Sequence, residues 1–266
     1  MAGCREYADS IPSYRLPARD TWANVWYLAV AGAYLSPAEQ LRCIKLVIMQ
    51  ITASTSSNIK GDVLIDLSAG SFVHHLYAPS EFFKHIIVLK VNDRCIMELK
   101  RWLDTRTGEF EWGHATKIHV EIEGKSAELQ DKEGKVREAA QHVVKCDLNK
   151  QNIMDPIVLP PADCIISVCF LEVICKDQDD YIRYIRTFSE LLKPGGHLLL
   201  FGATDMTYFT VGNDRIHTFP YTEDFVRKVL VGEGFVIDKC VTKEATGISD
   251  LIDHKGVLFI AAHKEK

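Results

Sequence analysis

The sequence lacks the features that mark membrane-spanning, secreted or nucleic-acid-binding proteins. No apolar run approaches the roughly 20 residues that a bilayer-spanning helix needs, and the mixed, polar residues 1–17 do not read as a secretion signal. The eight cysteines are scattered, with no C-x-x-C pair, so we expect reduced thiols in a cytoplasmic protein. The net charge of −5 gives no electrostatic reason to expect nucleic acid or an anionic membrane as a partner.

What the sequence does contain is ordinary for one folded unit. Its 266 residues, 47% of them apolar and 25% charged, suffice for a large α/β domain with a full core. We predict a loosely ordered N-terminus over residues 1–17 and a single domain over residues 18–266. Within that domain, residues 18–58 are predicted to form a lid helix and N-terminal helices, because apolar and aromatic residues recur there at helical spacing.

The stretch KGDVLIDLSAGS at Lys60–Ser71 organises the predicted fold. Its apolar run from Val63 to Leu67 is typical of a strand covered on both faces, as at the centre of a parallel sheet. The small residues 68–70 then allow a tight turn and the close approach of a ligand to the backbone. Because open α/β sheets bind ligands at the carboxyl ends of their strands, this turn is the expected site.

Strands and helices alternate along the rest of the chain. Further strands, some with their exits, are predicted at residues 86–89, 142–148, 159–172, 192–202, 235–242 and 257–263. Helices are predicted at residues 36–50, 94–104, 131–142, 181–192 and 222–234, with a Ser/Thr-rich connector over 51–58. The highly polar residues 105–138 are interpreted mainly as a solvated excursion whose charges lie on the surface.

Five motifs resemble, in this order, sequences of S-adenosylmethionine-dependent methyltransferases, and most of all the nicotinamide, indolethylamine and phenylethanolamine N-methyltransferases. They are KGDVLIDLSAG at 60–70, KCDL at 145–148, PPADCIISVCFLE at 160–172, KPGGHLLLFG at 193–202 and KGVLF at 255–259. The resemblance extends from about residue 13 to residue 264. It implies an α/β fold with a seven-stranded Rossmann-like sheet, mostly parallel with a C-terminal antiparallel hairpin, plus N-terminal lid helices.

The resemblance also implies an enzyme that transfers a methyl group from S-adenosylmethionine to the nitrogen of a small aromatic or aryl-alkyl amine. Such an in-line transfer needs two ligands held in a dry pocket and no dedicated nucleophile. The expected partner is therefore a small amine, without metal, nucleic acid or membrane, and the protein is expected to be a monomer. Two alternatives stay open: a catalytically weak or inactive protein of this fold that binds a ligand or partner, and a core without any small ligand.

By resemblance, the cofactor-binding positions are Asp66, Ser68, Gly70, Lys90, Cys95, Cys146, Asp147, Leu148 and Val168. Ser68 replaces a glycine of the group, Cys95 replaces an asparagine, and Lys90 replaces the aspartate of a T-D-Y or T-D-F sequence. A carboxylate at the end of the second strand accepts hydrogen bonds from ribose hydroxyls, whereas an ammonium can only donate. We expect Lys90 to weaken cofactor binding by about 1.5–3 kcal/mol, the typical contribution of a hydrogen bond to a charged group.

Two carboxylates carry alternative interpretations. Asp147 matches the position that accepts from the adenine amino group in the resembling family, but an aspartate here also suits the start of a turn. Glu172 is the one charge in an apolar run from Cys164 to Cys175, where burial is costly without a partner. By resemblance Glu172 is the catalytic residue and the anchor for a cationic amine; the alternative is an acid at the start of a helix.

The resemblance places five residues against the substrate: Trp26, Glu172, Met206, Phe209 and Asp253. Trp26 lies on the predicted lid helix, and Phe209 stands where the family commonly has tyrosine. Met206 occupies a position that is glutamate in the phenylethanolamine enzyme, and Gly202 replaces the aspartate of the nicotinamide enzyme. Neither substrate preference is therefore reproduced.

Overall fold

The structure is a computed structural model that describes residues 37–57, 59–107, 112–124, 129–140, 142–211, 214–245, 250 and 252–265. The predicted loose N-terminus over residues 1–17 and the predicted lid helix with Trp26 lie outside the described residues. Within this part of the chain, no helix is long and apolar enough to cross a membrane.

Seven strands form the main sheet, in the order β3-β2-β1-β4-β5-β9-β8. The seven strands of this sheet are β1 (Gly61–Asp66), β2 (Phe83–Lys90), β3 (His142–Lys145), β4 (Ala162–Val168), β5 (Leu192–Thr204), β8 (Phe235–Glu244) and β9 (Gly256–Lys264). Two further strands, β6 (Tyr208–Val211) and β7 (Asp214–His217), form a separate two-stranded sheet. The first five are mutually parallel, whereas β9 runs antiparallel between β5 and β8. This topology confirms the predicted seven-stranded, mostly parallel sheet with a C-terminal antiparallel hairpin.

Helices cover the sheet and connect its parallel strands. They are α1 (Pro37–Ser57), α2 (Asp93–Leu103), α3 (Gly113–Glu123), α4 (Leu129–Ala139), α5 (Leu171–Ile174), α6 (Gln178–Leu191) and α7 (Glu223–Gly232). The core is densest around β1 and β4, where Leu64, Ile65, Cys164, Ile165 and Ile166 are all fully buried. Apolar runs without alternation thus form central strands covered on both faces.

The predicted connector over residues 51–58 is wrong in its first part, because α1 continues to Ser57. The Thr55 hydroxyl donates to the Ile51 carbonyl oxygen at 2.9 Å, one helical turn back. Such a bond lets a threonine continue inside a helix. Ile51 is itself buried, so the apolar face of α1 extends beyond the predicted end.

The interpretation of residues 105–138 as a solvated excursion is also wrong, although the helix predicted from residue 131 is present as α4. The segment contains α3 and α4, and the Lys132 side chain on α4 is completely buried. The Lys132 Nζ lies 2.5 Å from a carboxylate oxygen of Glu81 and 2.5 Å from one of Glu123. Charges that satisfy one another inside the fold cannot be told from surface charges by composition.

Residues 203–211, which include the predicted substrate positions Met206 and Phe209, form regular structure over most of their length. β5 continues to Thr204, and β6 pairs with β7 in a two-stranded antiparallel hairpin. Phe209 on β6 is buried and forms an isolated bridge with Ile252 before β9. The hairpin therefore packs its aromatic side chain inward beside the last strand of the sheet.

None of the six cysteines whose side chains the structure describes forms a disulfide with another of them: Cys95, Cys146, Cys164, Cys169, Cys175 and Cys240. Among the described residues, no group of three or more acidic, histidine or cysteine side chains is arranged to hold a metal ion.

Candidate functional site

The candidate cofactor crevice lies where β1, β2 and β4 end. β1 runs to Asp66, and Gly70 completes the turn with a φ of +63°, a left-handed conformation that favours glycine. β2 ends at Lys90, directly beside the exit of β1. The predicted positions 66, 68, 70 and 90 therefore meet at one edge of the sheet, as parallel strands require.

Asp66 is the centre of a fully buried polar cluster. Its Oδ1 accepts hydrogen bonds from the Ser68 hydroxyl at 2.5 Å and from the His75 Nε2 at 2.8 Å. Its Oδ2 lies 3.2 Å from the Lys90 Nζ, within a buried ion pair. Burial acts to raise the pKa of Asp66, but the Lys90 ammonium and His75 outweigh it and hold that pKa well below its usual value.

The Lys90 side chain turns back across the end of the sheet. Its Nζ donates to the Ser68 carbonyl oxygen at 2.7 Å, in addition to its ion pair with Asp66. Only 3% of the residue is exposed. The ammonium thus lies above the exit of β1, and two of its three possible donors are used by neighbouring groups.

Ser68 joins two strand exits. Its hydroxyl donates to Asp66 and accepts from the Val168 backbone N–H at 3.0 Å, so one side chain connects β1 to the end of β4. The Ala69 N–H also donates to the Val168 carbonyl oxygen at 2.9 Å. A glycine at position 68 could not make the side-chain bonds.

The remaining predicted cofactor positions divide into buried and exposed. Cys95, Cys146, Leu148 and Val168 are buried. Burial raises the pKa of the Cys95 thiol and raises that of Cys146 to about 12, so both thiols are protonated at neutral pH. Asp147 is exposed, and its Oδ1 accepts from the Asn149 backbone N–H at 3.0 Å and from the Asn149 side chain at 3.1 Å. Asp147 therefore starts a turn, and its second carboxylate oxygen is the one left for a ligand.

Glu172, the predicted catalytic residue, lies in the first turn of α5 and is 1% exposed. Its Oε1 accepts from the Ala203 backbone N–H at 3.0 Å, and its Oε2 lies 3.5 Å from the Tyr221 hydroxyl. No lysine, arginine or histidine of the described chain forms an ion pair with it. Burial raises the pKa of Glu172 to about 7.

The Tyr181 and Tyr221 rings line a cavity together with this carboxyl group. The Tyr181 ring lies 5.5 Å from that of Tyr221 and 5.2 Å from that of Phe225, and Phe219 completes the cluster. A narrow cavity beside Glu172 is lined by several of these residues and by Gly202. A Cβ on residue 202 would overlap the Tyr221 hydroxyl, so glycine there makes room for the tyrosine.

The other predicted substrate residues hold the β5–β6 connection. Met206 is fully buried and Phe209 is 2% exposed. The Asp253 carboxylate accepts from the backbone N–H groups of Thr207 at 2.8 Å and Tyr208 at 3.1 Å, and also from the Thr207 hydroxyl. These bonds leave Asp253 a positioning role for the turn. The Phe219 N–H donates to the Glu172 carbonyl oxygen at 2.8 Å, which connects the segment after β7 to α5.

Sequence reasoning missed two site residues, His75 and Tyr221. His75 is one of a histidine pair that follows the glycine turn, a position that could have indicated a polar contact with Asp66. Tyr221 follows a proline between a strand and a helix, and no local pattern signals its contact with Glu172.

The sheet order and the ligand crevice at its carboxyl edge define the chain as a Rossmann-like methyltransferase fold. Among solved structures, magnesium protoporphyrin IX methyltransferase from Synechocystis PCC 6803 with bound SAM matches with a TM-score of 0.55 at 12% identity, over 93% of this chain and 95% of that chain. The glycopeptide N-methyltransferase MtfA with bound S-adenosylmethionine matches with a TM-score of 0.53 at 12% identity, over 82% and 87%. At these identities, the likeness shows the fold alone.

Sequence comparison identifies the family. The chain matches the NNMT/PNMT/TEMT family over residues 29–265, and it belongs to that family. It is 31% identical to the indolethylamine N-methyltransferase of Oryctolagus cuniculus over 265 residues, which cover 100% of this chain and 99% of the relative. It is 30% identical to the nicotinamide N-methyltransferase of Homo sapiens, over 77% and 78% of the two chains. It is 31% identical to the human phenylethanolamine N-methyltransferase, over 79% and 76%.

These comparisons confirm the predicted family and S-adenosylmethionine as the cofactor of that family and of the matching fold. The residues of this chain fit the cofactor unequally. The turn at Gly70 and the exposed oxygen of Asp147 suit a nucleoside. The end of β2 does not, since a ribose there needs an acceptor and instead meets the buried Lys90 ammonium.

Proposed function

We propose that this chain binds a small aromatic or aryl-alkyl amine at Glu172 and acts on it as a slow S-adenosylmethionine-dependent N-methyltransferase. The observation that carries the proposal is a buried carboxyl group that has aromatic neighbours and no cationic partner among the described residues. A protonated amine would supply the missing charge, and aromatic faces attract cations. The relatives named for their amine substrates support the same class.

The chemistry expected of Glu172 has two parts. As a carboxylate it would hold the ammonium group, with Ala203 N–H keeping Oε1 in place. Because its pKa lies at about 7, it could also take the proton that the ammonium must lose before its nitrogen can act as a nucleophile. A neutral ligand such as nicotinamide would gain neither effect. We therefore favour aryl-alkyl amines over nicotinamide as ligands.

Calorimetric titration with phenylethylamine, tryptamine and nicotinamide tests the amine pocket. The wild type should bind the two cationic amines and bind nicotinamide more weakly. Glu172→Gln should reduce amine affinity by about tenfold or more, the scale of a lost hydrogen bond to a charged group. Glu190→Gln on α6 is the matched control and should bind like the wild type. Equal affinity of the wild type and Glu172→Gln for both amines would refute the role of Glu172.

A second function is favoured by one observation, the buried Lys90 at the end of β2. In that case the chain binds its amine without methylating it. Incubation with phenylethylamine and S-adenosylmethionine carrying a labelled methyl group separates the two functions. Labelled amine, formed in proportion to protein and lost in Glu172→Gln, supports slow methyl transfer. Amine binding without any labelled product supports a binding protein.

A further inference from the structure

We infer that the Lys90 side chain itself occupies the cofactor crevice. Its ammonium must leave Asp66 and Ser68 before a nucleoside can bind at the ends of β1 and β2. This inference deepens the proposed function and rests on it, because it explains why methyl transfer would be slow. It makes Lys90 the residue that determines cofactor affinity in this chain.

The strand register brings the lysine to this place. Asp66 pairs with Val88 in the parallel ladder of β1 and β2, so the exit at Ser68 lies beside Lys90, two residues further along. The side chain does not extend outward from the strand end toward solvent, as an exposed lysine would. It is 3% exposed and reaches back 2.7 Å from its Nζ to the Ser68 carbonyl oxygen.

The charge balance of the crevice is complete without a ligand. Asp66 carries the negative charge and Lys90 the positive charge of a buried ion pair, and the Ser68 hydroxyl and His75 satisfy the other carboxylate oxygen. The thiols of Cys95 and Cys146, which are also buried near the strand ends, are neutral. A free lysine could recruit a phosphate group, but an ammonium already paired in the interior has little attraction left to offer.

Lys90, which stands where the resembling family has aspartate, would also disfavour a bound ribose. One N–H of the Lys90 ammonium is not used by Asp66 or Ser68, but only 3% of the residue is exposed. A ribose hydroxyl could therefore reach that N–H only if the side chain moved away from Asp66 and Ser68. Breaking a buried ion pair leaves an uncompensated charge on Asp66. The wild type should therefore bind S-adenosylmethionine at least about tenfold more weakly than a variant that has no ammonium at this position.

Three substitutions separate charge, volume and hydrogen bonding. Lys90→Met removes the charge and keeps a long side chain, Lys90→Ala removes both, and Lys90→Asp supplies an acceptor. Calorimetric titrations with S-adenosylmethionine and with S-adenosylhomocysteine measure the affinity of each variant. We expect affinity to rise in the order wild type, Lys90→Met, Lys90→Ala, Lys90→Asp. Lys145→Ala is the matched control, because Lys145 ends the adjacent strand β3, is exposed and pairs with Asp93 at 2.6 Å. It should leave cofactor affinity unchanged.

A measurement on the wild type keeps the inference testable if a variant fails to fold. Lysine acetylation followed by mass spectrometry should modify Lys84, whose side chain is 74% exposed, and should leave Lys90 unmodified. Acetylation of Lys90 at the rate of Lys84 would overturn the inference. So would wild-type binding of S-adenosylmethionine as tight as that of folded Lys90→Ala and Lys90→Asp.

Adenosine 2′-phosphate provides a further arm. If the wild type binds this nucleotide and Lys90→Met does not, the Lys90 ammonium is free to bind phosphate. That result would overturn the inference that Lys90 occupies the crevice. The amine titrations are independent of all these results. If Lys90→Asp gains cofactor affinity but the protein binds no amine, the proposed function is refuted and the inference is upheld. If the protein binds amine but Lys90→Asp gains no cofactor affinity, the inference is refuted and the proposed function is upheld.

Discussion

The Lys193 Nζ lies 2.6 Å from the Asp163 Oδ1, at the amino ends of β5 and β4. The other oxygen of that carboxylate accepts from the backbone N–H groups of Asp62 and Val63 at 2.8 and 3.0 Å, which adds β1 to the same connection. Burial acts to raise the pKa of Asp163, but these donors hold it below its usual value. Three of the motifs that identify the family thus meet at the edge of the sheet opposite the crevice, where they stabilise the fold.

The first prediction concerns Gly61. A Cβ at this position would overlap the Asp163 side chain, so Gly61→Ala must displace the carboxylate from its two backbone donors. We expect the free energy of unfolding to fall by about 1–3 kcal/mol, measured by urea denaturation. Gly232→Ala, where nothing lies within 4 Å of the added Cβ, is the control and should not lose stability. Equal stabilities of the two variants would contradict the assignment.

The second prediction is a pH dependence from Glu172. Its pKa rises from 4.5 to about 7 on folding, so its stabilising contribution is complete below pH 4.5 and is lost as the pH rises through 7. Glu172→Gln cannot titrate. The free energy of unfolding of this variant relative to the wild type should therefore rise between pH 5 and pH 8, by up to about 3 kcal/mol.

Thermal and chemical unfolding at the two pH values measure this difference. Glu190→Gln, at an exposed glutamate on α6, is the control for the loss of a carboxyl group. A constant difference between Glu172→Gln and the wild type would mean that Glu172 titrates at its ordinary value, and its burial would then have no electrostatic consequence.

The third prediction is a coupling between Asp66 and Lys90. Each single change, Asp66→Asn or Lys90→Met, leaves a buried charge without its main partner and should destabilise the fold by about 3–5 kcal/mol. The double variant removes both charges and should be more stable than the sum of the two effects implies. Urea denaturation of all four proteins gives the coupling energy. Additive effects would show that the two side chains do not interact in solution.

The fourth prediction compares two lysines on α4 that share Glu81. Lys132 is fully buried and pairs with Glu81 and Glu123, whereas the Lys135 side chain is 37% exposed and pairs with Glu81 at 3.3 Å. Lys132→Met should cost about 3–5 kcal/mol of unfolding free energy, because Glu123 loses its lysine and Glu81 keeps only the partly exposed Lys135. Lys135→Met should cost less than about 1 kcal/mol. Similar losses in a denaturation experiment would contradict a buried network.

Much of the fold could be predicted because its strands are continuous apolar runs. The sequence from Val63 to Leu67 indicates a central strand whatever surrounds it, and the structure places β1 there between β2 and β4. Helix α3 and the burial of charge on α4 could not be recognised, since Lys132 on α4 is buried against carboxylates outside its own helix. Local patterns do not report which charges meet after folding.

The sequence could indicate at which strand ends the proposed site residues lie, but it could not predict their contacts. Lys90 and Glu172 stand out in the sequence because each puts a charge where its neighbours are apolar or where the resembling family has another residue. Their partners depend on tertiary geometry. Tyr221 reaches Glu172 only because Gly202 leaves space on β5, and His75 reaches Asp66 through a short helical turn.

The Ser68 hydroxyl connects Asp66 to the Val168 backbone, so selection on these two residues would act through folding. In orthologues of this chain, a serine and an aspartate kept at these two positions would reflect a requirement for folding. Their persistence would then be no sign of retained catalysis, and the positions around Glu172 would be the better place to look for inherited chemistry.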